Sequence, residues 1–237
     1  MFRLMSAFLL ALGLVCSSVV AVTAQDVVAT PAGEGTDVAA VAATVLGADP
    51  NALLTGLETP LADEDLPPGF VNPPTGEQPA NADIVAAFTL PEVGLQETIG
   101  TVTHPFNTDP EAIDGLISAG IVNYVVAETE ITAERFETFE LGVASSVSAS
   151  LRPGMAGDVE RIDVGGTEAL LISIALQGSG TIGLVLSVAV PVGNTIVIAT
   201  VVVIDSGGLD SVTVLENSIL LTLSAVEHLG EVAESVS

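Results

Sequence analysis

From residue 84 to the C-terminus, apolar residues recur with two different periods. Val159–Val164 and Thr167–Leu176 flank Gly165-Gly166, a pair suited to a two-residue hairpin turn. Leu184–Val190 and Thr195–Ile204 flank Pro191-Val192-Gly193-Asn194, a second hairpin connection. In these last two segments both alternating sets are apolar. Leu184, Leu186, Val188 and Val190 form one set, and Val185, Ser187 and Ala189 form the other. Ile196, Ile198, Val202 and Ile204 likewise oppose Val197, Ala199, Val201 and Val203. A strand that is apolar on both faces is expected in a sheet covered on both sides.

Helical spacing appears twice. Phe136, Phe139, Val143 and Val147 recur at three and four residues, after Thr132 as N-cap and Ile131 as a staple to Phe136. That helix is expected to stop before Pro153-Gly154. Val212, Leu215, Ile219, Leu223 and Val226 mark a second stripe, beginning near Asp210, with Gly230 as its expected C-terminal stop and His228 near that end. Upstream, Val85–Leu90 and Thr98–Phe106 read as strands joined around Pro91-Glu92-Val93-Gly94. Asp109-Pro110 opens a short helix ending near Ser118 and Gly120, and Ile121–Val126 follows as a strand. The fold class expected is α+β: an antiparallel sheet with helices on both faces, an α/β/α sandwich.

The N-terminal part has a different texture. Arg3 precedes an apolar run through Val22, and Val22-Thr23-Ala24 is a small-residue cleavage site, so residues 1–24 read as a secretory signal peptide with Gln25 as the first mature residue. An uncleaved N-terminal anchor is the alternative. Most of the 13 prolines fall between residues 25 and 82. Each interrupts regular structure, so 25–60 is expected as a mobile stalk and 61–82 as an extended lead-in. Leu66, Phe70 and Val71 are expected to dock on the edge of one domain spanning 83–230, with 231–237 as an acidic tail. Ala169–Ile204 carries no charge and is long enough for a membrane span. The Pro191-Val192-Gly193-Asn194 turn and the density of β-branched residues favour two strands instead.

Composition narrows the partners. The chain of 237 residues has 30 acidic and four basic residues, for a formal net charge of −26, and no Trp. Such a field repels nucleic acid and anionic membrane surfaces. Its single Cys, Cys16, lies inside the signal segment, so no internal disulfide can form.

Chemistry is sparse. There is no G-x-S-x-G, no S-x-x-K and no phosphate loop; Gly178-Ser179-Gly180 has no Lys after it. The chain has two His. His228 reads as a helix-end residue complementing the dipole. His104 precedes Asp109 and Asp114, and these three are the candidates for an acid–base or metal site if one exists. Asp63-Glu64-Asp65 lacks the spacing of a calcium loop and reads as a solvated charge run, compatible with weak calcium association. Arg161 is expected to pair locally with Glu160 and Asp163, and Tyr124 to be packed.

The order strand, helix, four antiparallel strands and C-terminal helix, carried by Ile121–Glu128, Thr132–Leu151, Val159–Leu176, Leu184–Ile204 and Asp210–Leu229, resembles the PsbP/Mog1-like sandwich of secreted LpqN-type proteins. The resemblance lies in element order and transfers no site residue. It implies an exported, non-enzymatic binding or accessory protein, with an unknown protein or a small apolar ligand as partner and no cofactor. A hydrolase-like enzyme with a dispersed carboxylate and His site, or an envelope-tethered structural protein, are the competing expectations.

Overall fold

Strand pairing follows the alternation along the chain. The computed structural model describes residues 36–74, 95, 97–109, 117–178, 181–205 and 211–237. In chain order these form α1 (Val38–Gly47), α2 (Pro50–Gly56), β1 (Phe70–Val71), β2 (Thr98–Thr108), β3 (Ile117–Ala127), α3 (Ala133–Ser150), β4 (Met155–Val164), β5 (Thr167–Gly178), β6 (Thr181–Val192), β7 (Thr195–Asp205) and α4 (Ser211–Val236). The fold is α+β. Its curled antiparallel sheet has seven strands in the order β1-β2-β3-β7-β6-β5-β4. The β6 and β7 strands are antiparallel neighbours inside the sheet, with Val188 opposite Ala199 and Ala189 opposite Ile198. The charge-free stretch is therefore strand and turn. No single helix among the described residues is long and apolar enough to cross a membrane.

Both hairpin turns match their residues. Gly165 and Gly166 both have positive φ, 59° and 80°. The second turn is shorter than expected, because Pro191 and Val192 stay in β6 and only Gly193-Asn194 connects the strands. Gly193 has φ 64°, and a Cβ there would meet the Ala42 carbonyl oxygen at 2.9 Å. Glycine is thus required twice, for its backbone angle and for the approach of α1. Asn194 ties this turn to β3, accepting from the Ala127 N–H through its carbonyl (2.8 Å) and donating Nδ2 to the Ala127 carbonyl (3.2 Å).

Alternate strand residues enter different clusters. Tyr124, Leu171, Leu186, Val188, Val197 and Ala199 join the apolar residues of α1, α2 and α4. Val125, Leu170, Ile172, Ala189, Ile196 and Ile198 join Phe136, Phe139, Val143 and Val147 of α3. Thr132 caps α3 as expected, its hydroxyl accepting from the Arg135 N–H, and Ile131 lies in the same cluster as Phe136. Arg161 bonds Glu140 and Glu168 across elements, at 2.5 and 2.6 Å, rather than its sequence neighbours. On a β-strand Glu160 points to the opposite face from Arg161, and Asp163 accepts from the Gly166 N–H in the hairpin turn at 3.2 Å.

The stalk expectation fails over residues 36–60. Asp37 and Asp49 cap α1 and α2 by accepting two backbone N–H groups each. Val38, Val45, Leu53, Leu57 and Leu61 are fully buried in the main cluster. Proline density misled here because Pro50 occupies the first turn of α2, where no N–H is needed. Phe70 and Leu66 dock as expected, and Val71 stays 39% exposed. The acidic tail is also corrected. Gly230 does not end α4, which runs to Val236 with Val232 and Ala233 buried. Gly230 instead admits Val41 of α1, whose side chain would lie 3.2 Å from a Cβ. A further correction concerns Ile117–Gly120, which belong to β3 rather than to a helix end. The expected strand at 85–90 lies outside the described residues, as do residues 110–116 of the expected short helix.

Candidate functional site

Three polar rings of distant origin meet beside the end of α2. The C-terminal carbonyls of any helix lack intrahelical partners, and α2 stops at Gly56 with Leu57 as its C-cap. His104 of β2 bonds the Leu57 carbonyl through Nε2 at 2.6 Å. His228 of α4 bonds the Thr59 carbonyl through Nε2 at 3.0 Å. A carbonyl only accepts, so each imidazole carries its proton on Nε2 when neutral. Tyr124 of β3 sits between the two, 6.1 Å from His104 edge-on and 6.3 Å from His228, ring centre to ring centre. Its hydroxyl donates to the Ala225 carbonyl of α4 at 3.2 Å.

Local sequence explains the placement. In β2, His104 shares the parity of Val102 and Phe106, so it faces the main cluster. Val102 pairs with Tyr124 in the β2–β3 ladder, which makes His104 the diagonal neighbour of Tyr124, within reach of an aromatic ring. In α4, His228 extends the series Leu221, Ala225, His228, Val232, spaced by four, three and four residues.

Burial sets the electrostatics. His104 is 8% exposed. Burial pushes its imidazole below the ordinary value, the Leu57 carbonyl pulls the other way, and the nearby His228 adds to the depression. Burial raises the Tyr124 phenol far above its usual range, so it stays protonated as a donor. The neutral cluster is a set of hydrogen-bond donors spent on main-chain carbonyls.

The other candidates lie elsewhere. Asp109 follows the end of β2, and its N–H bonds the Gly69 carbonyl at 2.9 Å. Five residues of extended chain separate it from His104 by roughly 17 Å, with opposite parity. Asp114 lies outside the described residues. Asp63 accepts from the N–H and the Nδ2 of Asn72, both at 2.9 Å, which fixes the lead-in turn. Among the described residues, no group of three or more His, Cys, Asp or Glu is placed to hold a metal ion.

The sequence pointed to His104 but to neither of its ring partners. Tyr124 was legible as a packed residue. His228 was read as a helix-end residue, yet it sits well inside α4, because the helix continues past Gly230. Extending the stripe beyond that glycine would have placed His228 on the buried side. A second polar group, on the other set of strand residues, was not foreseen. Ser187 and Thr200 pair hydroxyl to hydroxyl at 2.8 Å, and Thr103 donates to Asn123 Oδ1 at 2.7 Å. Asn123 Nδ2 is buried without a hydrogen-bond partner.

No known protein family matches the chain, and no curated protein does. Among solved structures, it is similar to PA94 of Pseudomonas aeruginosa, a protein of unknown function (TM-score 0.30, 12% identity, 46% of this chain and 70% of that one). It is also similar to LpqN of Mycobacterium tuberculosis, described as involved in cell envelope biogenesis (TM-score 0.29, 14% identity). That match covers 50% of this chain and 60% of LpqN. Both likenesses are too slight to define the fold or to transfer a role.

Proposed function

We propose that this chain is an exported, acidic, non-enzymatic binding or accessory protein built as an α/β/α sandwich. The observation that carries the reading is the use of its polar rings. Both imidazoles and the tyrosine hydroxyl are bonded to main-chain carbonyls of other elements, where they hold the fold together. The candidate carboxylate Asp109 is distant from His104, so the two do not form an acid–base couple. The sandwich arrangement is supported by the separation of alternate strand residues into one cluster with α1, α2 and α4 and another with α3. Export is supported by the apolar N-terminal run and Val22-Thr23-Ala24. With so negative a field, the partner is an unknown protein or a small apolar ligand rather than nucleic acid or an anionic membrane surface. Calcium association would be weak and diffuse.

Secreted material should begin at Gln25 on N-terminal sequencing, whereas Met1 retained in a membrane pellet would favour the tethered alternative. The purified mature protein should turn over no esterase, glycosidase, phosphatase or peptidase substrate. A turnover lost in His104→Ala at unchanged melting temperature would overturn the non-enzymatic reading.

A further inference from the structure

We infer that His104, Tyr124 and His228 form an acid-sensitive clasp that holds α2 and the 57–59 turn against the sheet and loosens when His104 gains a proton. This inference is independent of the binding role, since it rests on the geometry of the clasp alone. The chain has two His and one Tyr. Their rings meet in one place, although they come from β2, β3 and α4; the two imidazoles take carbonyls two residues apart on one turn, and the Tyr124 hydroxyl between them bonds α4. Leu53 and Leu57 add an apolar attachment of this segment to the main cluster.

A proton on His104 leaves its bond to Leu57 in place but puts a charge in a buried site. The Tyr124 ring, 6.1 Å away centre to centre, places an apolar surface beside that charge and offers it no carboxylate. A second charge on His228, across the same tyrosine, opposes the first. The charged groups on the packed elements are Asp49 at the start of α2, Glu58 on the turn, and Glu216, Glu227, Glu231 and Glu234 on α4, and β3 presents only the Tyr124 phenol. All these carboxylate residues are exposed, and Glu227 already accepts from Thr36 Oγ1 at 2.5 Å. Water screens them from the buried imidazole.

The sign follows from linkage. The docked state holds His104 below its ordinary value of about 6.5, so the undocked state binds the proton more readily. Docking is therefore strongest above about pH 6.5 and weakens as the pH falls from there towards the depressed value, below which both states hold the proton. Carboxylates ordinarily titrate near 4, below a window of about pH 7.5 to 5.5, so this loss is separable from relief of acidic self-repulsion.

The test is amide hydrogen exchange of the mature chain across that window, corrected for intrinsic rates, with emission from the sole tyrosine followed in parallel. Protection of residues 38–57 should fall at acid pH relative to β6 and β7, by up to about tenfold per pH unit once His104 titrates. Tyrosine emission should change with the same midpoint. His104→Gln keeps an N–H donor for the Leu57 carbonyl and cannot be protonated, so it should abolish the acid loss. His228→Gln, at the more exposed end, should reduce it, and serves if the first variant does not fold. Wild-type protection that stays flat across the window would overturn the clasp, and so would an unchanged acid loss in a folded His104→Gln protein.

Discussion

Val188→Asp and Ile198→Asp should each abolish the cooperative melt of the mature protein. Val188 is fully buried in the cluster with α1, α2 and α4, and Ile198 is 2% exposed in the cluster with α3. Neither cluster offers the new carboxylate a basic partner, because none of the described arginines, Arg135, Arg152 and Arg161, is buried. An unpaired charge in such a site costs several kcal/mol, comparable with a total stability of about 5–15 kcal/mol. The two variants report on alternate residues of adjacent strands, so together they test burial on both faces. Leu141→Asp on α3 is the control: Leu141 is 66% exposed, and the change should leave stability within about 0.5 kcal/mol. Chemical denaturation followed by far-UV circular dichroism checks all three. A soluble Val188→Asp or Ile198→Asp protein with a cooperative transition near that of the wild type would refute burial of that face.

A chain beginning at Leu61 should fail to fold cooperatively, while one beginning at Gln25 should melt as a single unit. Removing α1 and α2 takes Val38, Val45, Leu53 and Leu57 out of the main cluster, all of them fully buried. Each large-to-small change at such a site costs about 2–5 kcal/mol, so loss of the whole segment exceeds ordinary stability. It also exposes apolar surface on α4, including Leu229, Val232 and Ala233. The graded version is Leu57→Ala, expected to lower stability by about 2–5 kcal/mol without changing the fold. Equal melting temperatures for the chains starting at residues 25 and 61 would restore the stalk.

How much of this was legible depended on how local the signal was. The Gly165-Gly166 hairpin, the α3 stripe from Phe136 to Val147 and its Thr132 cap all depend on neighbours within a few residues and appear where the pattern put them, and the second hairpin differs only in that Pro191 and Val192 extend its strand. Gly230 was misleading because a glycine with no side chain serves equally as a helix stop or as a notch for a neighbouring helix; only Val41 of α1 decides between them. Residues 36–57 were misleading for the opposite reason. An Ala/Val helix has almost no polar face from which to read a stripe, and it is stable only because α4 and the sheet cover it.

The candidate site divides in the same way. Its residue types were visible, since two imidazoles and one phenol stand out in so aliphatic a chain. Their meeting was not, because 47 residues separate His104 from its carbonyl partner and 169 separate His228 from Thr59. By itself the sequence determined the strand and helix periods, the turns, the acidic field and the apolar character of the N-terminal run, all properties of a residue and its near neighbours. The tertiary structure alone decided that β3 lies beside β7, that α1 and α2 belong to the core, and that both histidines close on one turn. Those outcomes depend on which apolar faces find each other across long loops, and a linear pattern does not encode that choice until the chain has collapsed around it.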